Sequence, residues 1–206
     1  MPKKAIVLLK VLVHIACLAP VAWLVMRGFQ NNLGPDPTHT VTFFTGRGTL
    51  RLLVITLTIS PVRRLAPKLA WLIRFRRMLG LYAFFYGCLH LMTYLWLYAG
   101  FSWAAIVDDI SQRRFIIAGV TAWALMVPLA LTSTAWSIRK LGGKNWQRLH
   151  WLTYLAALAG VVHYWWGVKQ GDRTPMEITV ALAIVLAARP VIGWVRARGG
   201  HVAVKT

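Results

Sequence analysis

The sequence predicts an all-α integral membrane protein: one six-helix bundle spanning residues 1–206, with both termini in the cytoplasm. Three observations predict it. Of 206 residues, 58% are hydrophobic and only 14% charged, about half the charged share usual for a soluble domain. Several stretches of helix-spanning length carry no charge at all, and a bilayer crossing needs roughly 20 apolar residues. The 24 Lys and Arg against 5 Asp and Glu are, moreover, unevenly spread along the chain. The apolar content excludes disorder, and two cysteines exclude a disulfide scaffold. A soluble nucleic-acid binder could be this basic, but it would not contain such uncharged runs.

The spans follow in order. The first, 5–26, is interrupted only by Lys10 near its start. Lys10 and His14 break the apolar run and no A-x-A site follows, so it reads as an uncleaved helix and not a signal peptide. The second, 46–62, is short, with Arg47 and Arg51 at one end and Arg51 snorkelling. The third and fourth, 78–100 and 115–138, lie in uncharged runs of 30 and 24 residues. The fifth, 149–168, is uncharged throughout, and the sixth, 178–195, carries only Arg189. Cys17 and Cys88 fall inside spans and read as packed thiols.

Direction follows from the basic residues. The N-terminus (Lys3, Lys4, Lys10), the loop with Arg63, Arg64, Lys68, Arg74, Arg76 and Arg77, the loop with Arg139, Lys140, Lys144 and Arg148, and the tail (Arg196, Arg198, Lys205) hold sixteen bases and no acid. The opposite side holds seven bases and all five acids: Asp36, Asp108, Asp109, Asp172 and Glu177. Trp71, Trp136, Trp146, Trp151 and Trp194 fall near one set of span ends, and Trp23, Trp103, Trp165 and Trp166 near the other, as an interfacial belt requires. The net charge of +19 is therefore a topology signal whose partner is anionic lipid.

Ionisable residues inside a bilayer are costly and mark function. Apart from Arg51 and Arg189 near helix ends, those in the spans are His14, His90, His150 and His163. The absence of an intramembrane carboxylate argues against an ion-coupled transporter. Neutral imidazole suits a metal, and haem iron is the metal most often met between membrane helices. His90 lies twelve residues into the third span, about 18 Å deep, and His163 fourteen residues into the fifth, about 21 Å. Matching depth is the geometry for one haem with two histidine ligands.

His150 lies thirteen residues before His163, at the cytoplasmic edge of the same span, and reads either as a contact to a second haem or a flavin or as interfacial packing. The position opposite it on the third span holds Arg76 and Arg77, so a second haem needs another ligand. On an ideal helix His150 and His163 also point to different faces. His14 reads as a hydrogen-bonded core residue, and His39 and His201 as solvated. Gly80, Gly87, Gly160 and Gly167 let helices approach closely. Arg47 and Arg51, four apart, fit a propionate or quinone head group or simple interfacial anchoring; Arg189 fits an anionic cofactor or snorkelling.

The stretch from Leu9-Lys10 through His14 to Pro20 and Trp23, the Thr45-Gly46-Arg47 turn, Ile59-Ser60-Pro61, Arg76-Arg77-Met78-Leu79-Gly80-Leu81 leading to Leu89-His90-Leu91, Leu131-Thr132-Ser133-Thr134, Trp146-Gln147-Arg148-Leu149-His150 and His163-Tyr164 together resemble one family. It is the haem-binding membrane subunit (MsrQ, or YedZ) of the bacterial periplasmic protein-methionine-sulfoxide reductase system, in the ferric-reductase-like transmembrane superfamily. The resemblance covers about residues 5–196. It implies a protein of the bacterial inner membrane with haem b, one or two per chain, and flavin mononucleotide (FMN). It implies electron transfer from the quinone pool or a cytosolic flavin reductase to a periplasmic molybdopterin-containing reductase subunit that repairs oxidised proteins. By position, His90, His150 and His163 match the family's haem-ligand histidines.

The chain has no complete G-x-G-x-x-G, no appended nicotinamide domain and no loop large enough for a molybdopterin site. It is expected to be an electron-transfer subunit and not the sulfoxide-reducing one. Rival readings are a haem subunit of another reductase and a small transporter or anchor whose histidines only pack.

Overall fold

The computed structural model describes residues 2–168 and 171–202, with side chains as far as Trp194. Lys169 and the side chains of Arg196, Arg198, His201 and Lys205, which entered the charge and solvation expectations, lie outside the described residues. Among the described residues there is no strand; the elements are nine α-helices with one 3₁₀ and one π segment.

α1 (Lys3–Phe29) and α2 (Pro37–Leu65) are joined by a loop that ends in an N-cap. There the Asp36 carboxylate accepts from the backbone N–H of His39 at 2.9 Å, with Pro37 at the first helical position. This cap starts α2 nine residues before the expected span. His39 is thus a first-turn residue stacked on Phe43, ring centroids 4.0 Å apart, and not a free loop residue. Thr45, Gly46 and Arg47, expected in a turn, are inside the helix.

A 3₁₀ turn (Pro67–Leu72) leads into α3 (Ile73–Thr93), so Arg74, Arg76 and Arg77 are helical; a π segment (Tyr94–Tyr98) prolongs it. α4 (Trp103–Gln112) is a short amphipathic helix with Trp103 and Val107 exposed. α5 (Arg114–Leu131) stops well short of the end of its uncharged run. The Thr132 and Ser133 hydroxyls donate back to the carbonyls of Pro128 and Leu129, and Thr134 caps α6 (Ala135–Leu141). α7 (Gly143–Leu149) and α8 (Leu152–Gly167) are separated by the His150–Trp151 turn, and α9 is Thr174–Val202.

Among the described residues, four helical segments are long and apolar enough to cross a membrane: Lys3–Phe29, Pro67–Tyr98, Arg114–Leu131 and Thr174–Trp194. Together with the apolar side chains exposed along α1 and α9, they make this a multi-pass membrane protein. α2 and α8 fall outside that set: α8 has sixteen residues, and α2 carries seven threonines and four arginines. Both pack inside the bundle, α2 along α3, α9 and α8, and α8 along α5. Burial is tolerable for α2 because its threonine hydroxyls donate to carbonyls one turn back, as Thr45 does to Val41 and Thr56 to Leu52. The pairings of Thr42 with His90, Phe115 with His163, Arg47 with Tyr164, and Arg189 with Leu57 and Tyr154 run α2, α5 and α9 opposite to α3 and α8, so one end of the bundle gathers the acids and the other the loops rich in Arg and Lys. We call these the acidic and basic ends.

Candidate functional site

α3 and α8 bring His90 and His163 together nearer the acidic end, with ring centroids 5.8 Å apart and planes inclined at 75°. His90 Nδ1 is 3.0 Å from the carbonyl of Thr42 on α2, and His163 Nδ1 is 2.6 Å from the carbonyl of Phe115 on α5. A carbonyl only accepts, so in each ring Nδ1 carries the proton and Nε2 keeps its lone pair. This is the arrangement second-sphere carbonyls impose on metal-bound histidine.

The two sites are built alike. Each histidine donates to a carbonyl four residues before a glycine, Thr42 before Gly46 and Phe115 before Gly119, and each ring lies over that glycine. A Cβ on Gly46 would stand 3.0 Å from His90, and one on Gly119 would stand 2.7 Å from His163. Reading the sequence missed both glycines as parts of the site, because one glycine in an apolar helix gives no sign of what lies across from it. Of the glycines expected to favour close packing, a Cβ on Gly160 would stand 2.8 Å from Leu50, whereas one on Gly80, Gly87 or Gly167 would meet its neighbours at ordinary contact distance.

Among the described residues no three His, Cys, Asp or Glu side chains gather to hold a bare metal ion. Two imidazoles suit an iron whose other four ligands come from a macrocycle. Two rings sharing one metal at bonds of about 2 Å have centroids about 6 Å apart, close to the observed spacing.

Arg47 and Arg51 share α2 but diverge. Arg47 Nε donates to the Tyr164 hydroxyl at 2.7 Å, and its Nη2 pairs with Asp172 at 2.9 Å. Tyr164 adjoins His163 in the chain and also meets Phe43; neither Tyr164 nor Asp172 was named as a site residue from the sequence. Hydrogen bonds from Thr174, reinforced by Arg47, hold the Asp172 carboxyl below the usual carboxylate range. Arg51 is exposed, beside Glu177 in a shallow surface depression.

At the basic end His150 is not on the helix that carries His163. It caps α7, which removes the objection drawn from ideal helical angles. Its ring stacks on Trp146 at 3.8 Å and its Nδ1–H donates to the Trp146 carbonyl at 3.0 Å; the buried Nε2 makes no hydrogen bond among the described residues, the Leu129 backbone being the other polar group near the ring. Arg189 donates to the Tyr154 hydroxyl and, at 3.4 Å, to the Leu57 carbonyl, while its buried Nε has no partner among the described residues. His14 is hydrogen-bonded as expected, its Nδ1 2.6 Å from the Tyr82 hydroxyl, but its side chain is exposed on the outer face of α1 and is not a core residue. Cys17 and Cys88 are free thiols.

Residues 45–161 match the model of the ferric reductase like transmembrane component, and the chain belongs to that class of membrane proteins. His90 and His150 lie within the match and His163 just beyond it. Three curated relatives narrow the class, each named protein-methionine-sulfoxide reductase heme-binding subunit MsrQ. The one from Xanthomonas campestris pv. campestris is 46% identical, covering 92% of this chain and 89% of the relative. That from Ralstonia nicotianae is 42% identical over 98% and 94% of the two chains, and that from Herminiimonas arsenicoxydans 42% over 91% and 86%. The chain belongs to the MsrQ family.

Proposed function

We propose that this chain is the haem-binding electron-transfer subunit of a protein-methionine-sulfoxide reductase system. In this reading haem b lies between His90 and His163, and a second redox group, a further haem or FMN, lies at His150. The chain crosses the bacterial inner membrane six times with both termini cytoplasmic, in keeping with the separation of acids from bases. Electrons enter from the quinone pool or a cytosolic flavin reductase and leave to a periplasmic molybdopterin-containing subunit, where the sulfoxide is reduced. The names of the relatives support the haem and the system served.

The observation that carries the reading is the facing pair of imidazoles, each with Nδ1–H tied to a backbone carbonyl and Nε2 free. The bound haem supplies one-electron chemistry. The carbonyls of Thr42 and Phe115 fix the ring orientations and raise the basicity of Nε2, while α2 and α5 exclude water.

The test is a dithionite-reduced minus oxidised visible spectrum of the detergent-purified protein, with a pyridine haemochrome assay. A b-type signal at one or two haems per chain is expected. Absence of haem after expression with haem supplied would leave the histidines as packing residues.

A further inference from the structure

His150 Nε2 and Arg189 Nε are the two buried side-chain polar atoms that lack a partner among the described residues. They come from residues far apart in sequence and meet at the same end of the bundle. Arg189 docks on the hydroxyl of Tyr154, which lies one turn beyond His150. Arg76 is within Coulombic range of both His150 and Arg189, and Arg64 is within range of Arg189. A buried polar atom left unpaired is costly, and half-buried cations such as Arg76 and Arg189 crowded together repel one another.

No carboxylate side chain relieves this crowding. All five Asp and Glu belong to the acidic end, and the one on the same helix, Glu177, precedes Arg189 by twelve residues, about 18 Å. The guanidinium is nevertheless held in place. Pro61 lacks the N–H that would bond the Leu57 carbonyl, and Arg189 Nη2 reaches that carbonyl instead. With Tyr154 and Leu57 each holding one terminal nitrogen, Nε is the nitrogen left with no partner among the described residues, and each terminal nitrogen keeps a second N–H. A fixed guanidinium with an open N–H edge is suited to a carboxylate or phosphoryl oxygen.

We propose that Arg189 and Arg76 form an anion site at the basic end of the bundle. It receives the carboxylate or phosphoryl oxygens of a planar cofactor whose ring system meets His150. This rests on the reading of His150 as a redox contact and assigns the residues that retain the group there. The two orphan atoms specify complementary features: Nε2 offers a lone pair to a metal or a ring N–H, and Arg189 offers a proton to an anion. Haem b, with iron and propionates, and FMN, with ring N–H and phosphate, both satisfy them.

The experiment uses the detergent-purified full chain and the variants Arg189→Gln, Arg189→Lys, Arg76→Gln and His150→Ala. Haem is counted by pyridine haemochrome and released flavin by fluorescence. Calorimetric titrations follow with haem b, FMN, riboflavin and inorganic phosphate. Each Gln variant is expected to weaken the ligand at the basic end about tenfold or more, the loss for one charge-assisted hydrogen bond, with Arg189→Lys intermediate. The His90–His163 haem spectrum should persist in all four and serves as the folding control.

Loss of a second haem equivalent in Arg189→Gln and His150→Ala identifies propionates as the anion. Arg189-dependent FMN binding that exceeds riboflavin binding and is competed by phosphate identifies a phosphoryl group. Unchanged ligand content and affinity in both Gln variants, or no binding of any of these ligands to the wild type, would overturn the anion site. A wild type lacking haem at His90 and His163 would instead sink the electron-transfer reading, and the FMN and phosphate titrations would still decide the anion site.

Discussion

Near the acidic end, each imidazole of the His90–His163 pair faces a second imidazole, hands its Nδ1 proton to a helix carbonyl and lies over a glycine. At the basic end, His150 faces no second histidine among the described residues; it stacks on Trp146, and its Nε2, without a hydrogen bond there, shares the region with Arg189 and Arg76. Both ends give histidine the tautomer of a metal ligand, because both tie Nδ1 to a carbonyl. They differ in what completes the site. One is symmetric and closed by a second imidazole, whereas the other is one imidazole beside guanidinium groups and is completed only by a group with an anion. Tautomer control alone therefore does not define what a histidine binds; the opposing surface does.

The largest effect that would break this comparison is loss of one imidazole of the pair. His90→Ala or His163→Ala should each abolish haem between α3 and α8 while leaving ligand content at the basic end unchanged, read by pyridine haemochrome and flavin release. Full haem occupancy in both variants would sink the assignment. The glycines come next. Gly119→Ala sets a methyl 2.7 Å from the His163 ring and should cost about 1–3 kcal/mol with reduced haem content. Gly46→Ala, at 3.0 Å from His90, should cost less, and thermal melts of the two variants give the order.

Smaller still is Tyr154→Phe, which removes a hydroxyl partner of Arg189. A loss of about 1–2 kcal/mol is expected, with the haem spectrum of the His90–His163 pair unaltered. The smallest effect is at the Arg47–Asp172 pair, whose side chains are 33% and 26% exposed. Asp172→Asn should cost below about 1 kcal/mol at neutral pH. The folded carboxyl is held below its unfolded value of about 3.9, so its contribution is present above that pH and is lost as pH falls through the lower folded value. The gap in melting temperature between wild type and Asp172→Asn should therefore close on acidification below about pH 4. An unchanged gap would remove Asp172 from the account.

Much of the histidine pair was legible because helical rise is constant: counting from charged boundaries gave matching depths for His90 and His163, and the structure brings their rings together. His150 was harder to read. An uncharged run from Leu149 to Val168 looks like one helix, yet the chain turns at His150–Trp151, so an ideal helical wheel misjudged its direction. α2 was read as short because Arg47 and Arg51 interrupt the uncharged run, although an Asp36 cap and back-bonded threonines sustain a longer helix.

The sequence by itself determined the membrane class, the segregation of acids from bases and the identity of the intramembrane histidines, since each depends on composition and on one-dimensional spacing. Only the tertiary structure decided that Gly46 and Gly119 lie under the rings, that Arg47 is committed to Tyr164 and Asp172 while Arg51 faces outward, and that Arg189 stands at Tyr154 near His150. Those facts depend on which face of one helix meets which face of another, and side-chain packing across 35 to 132 residues of chain leaves no trace in local pattern.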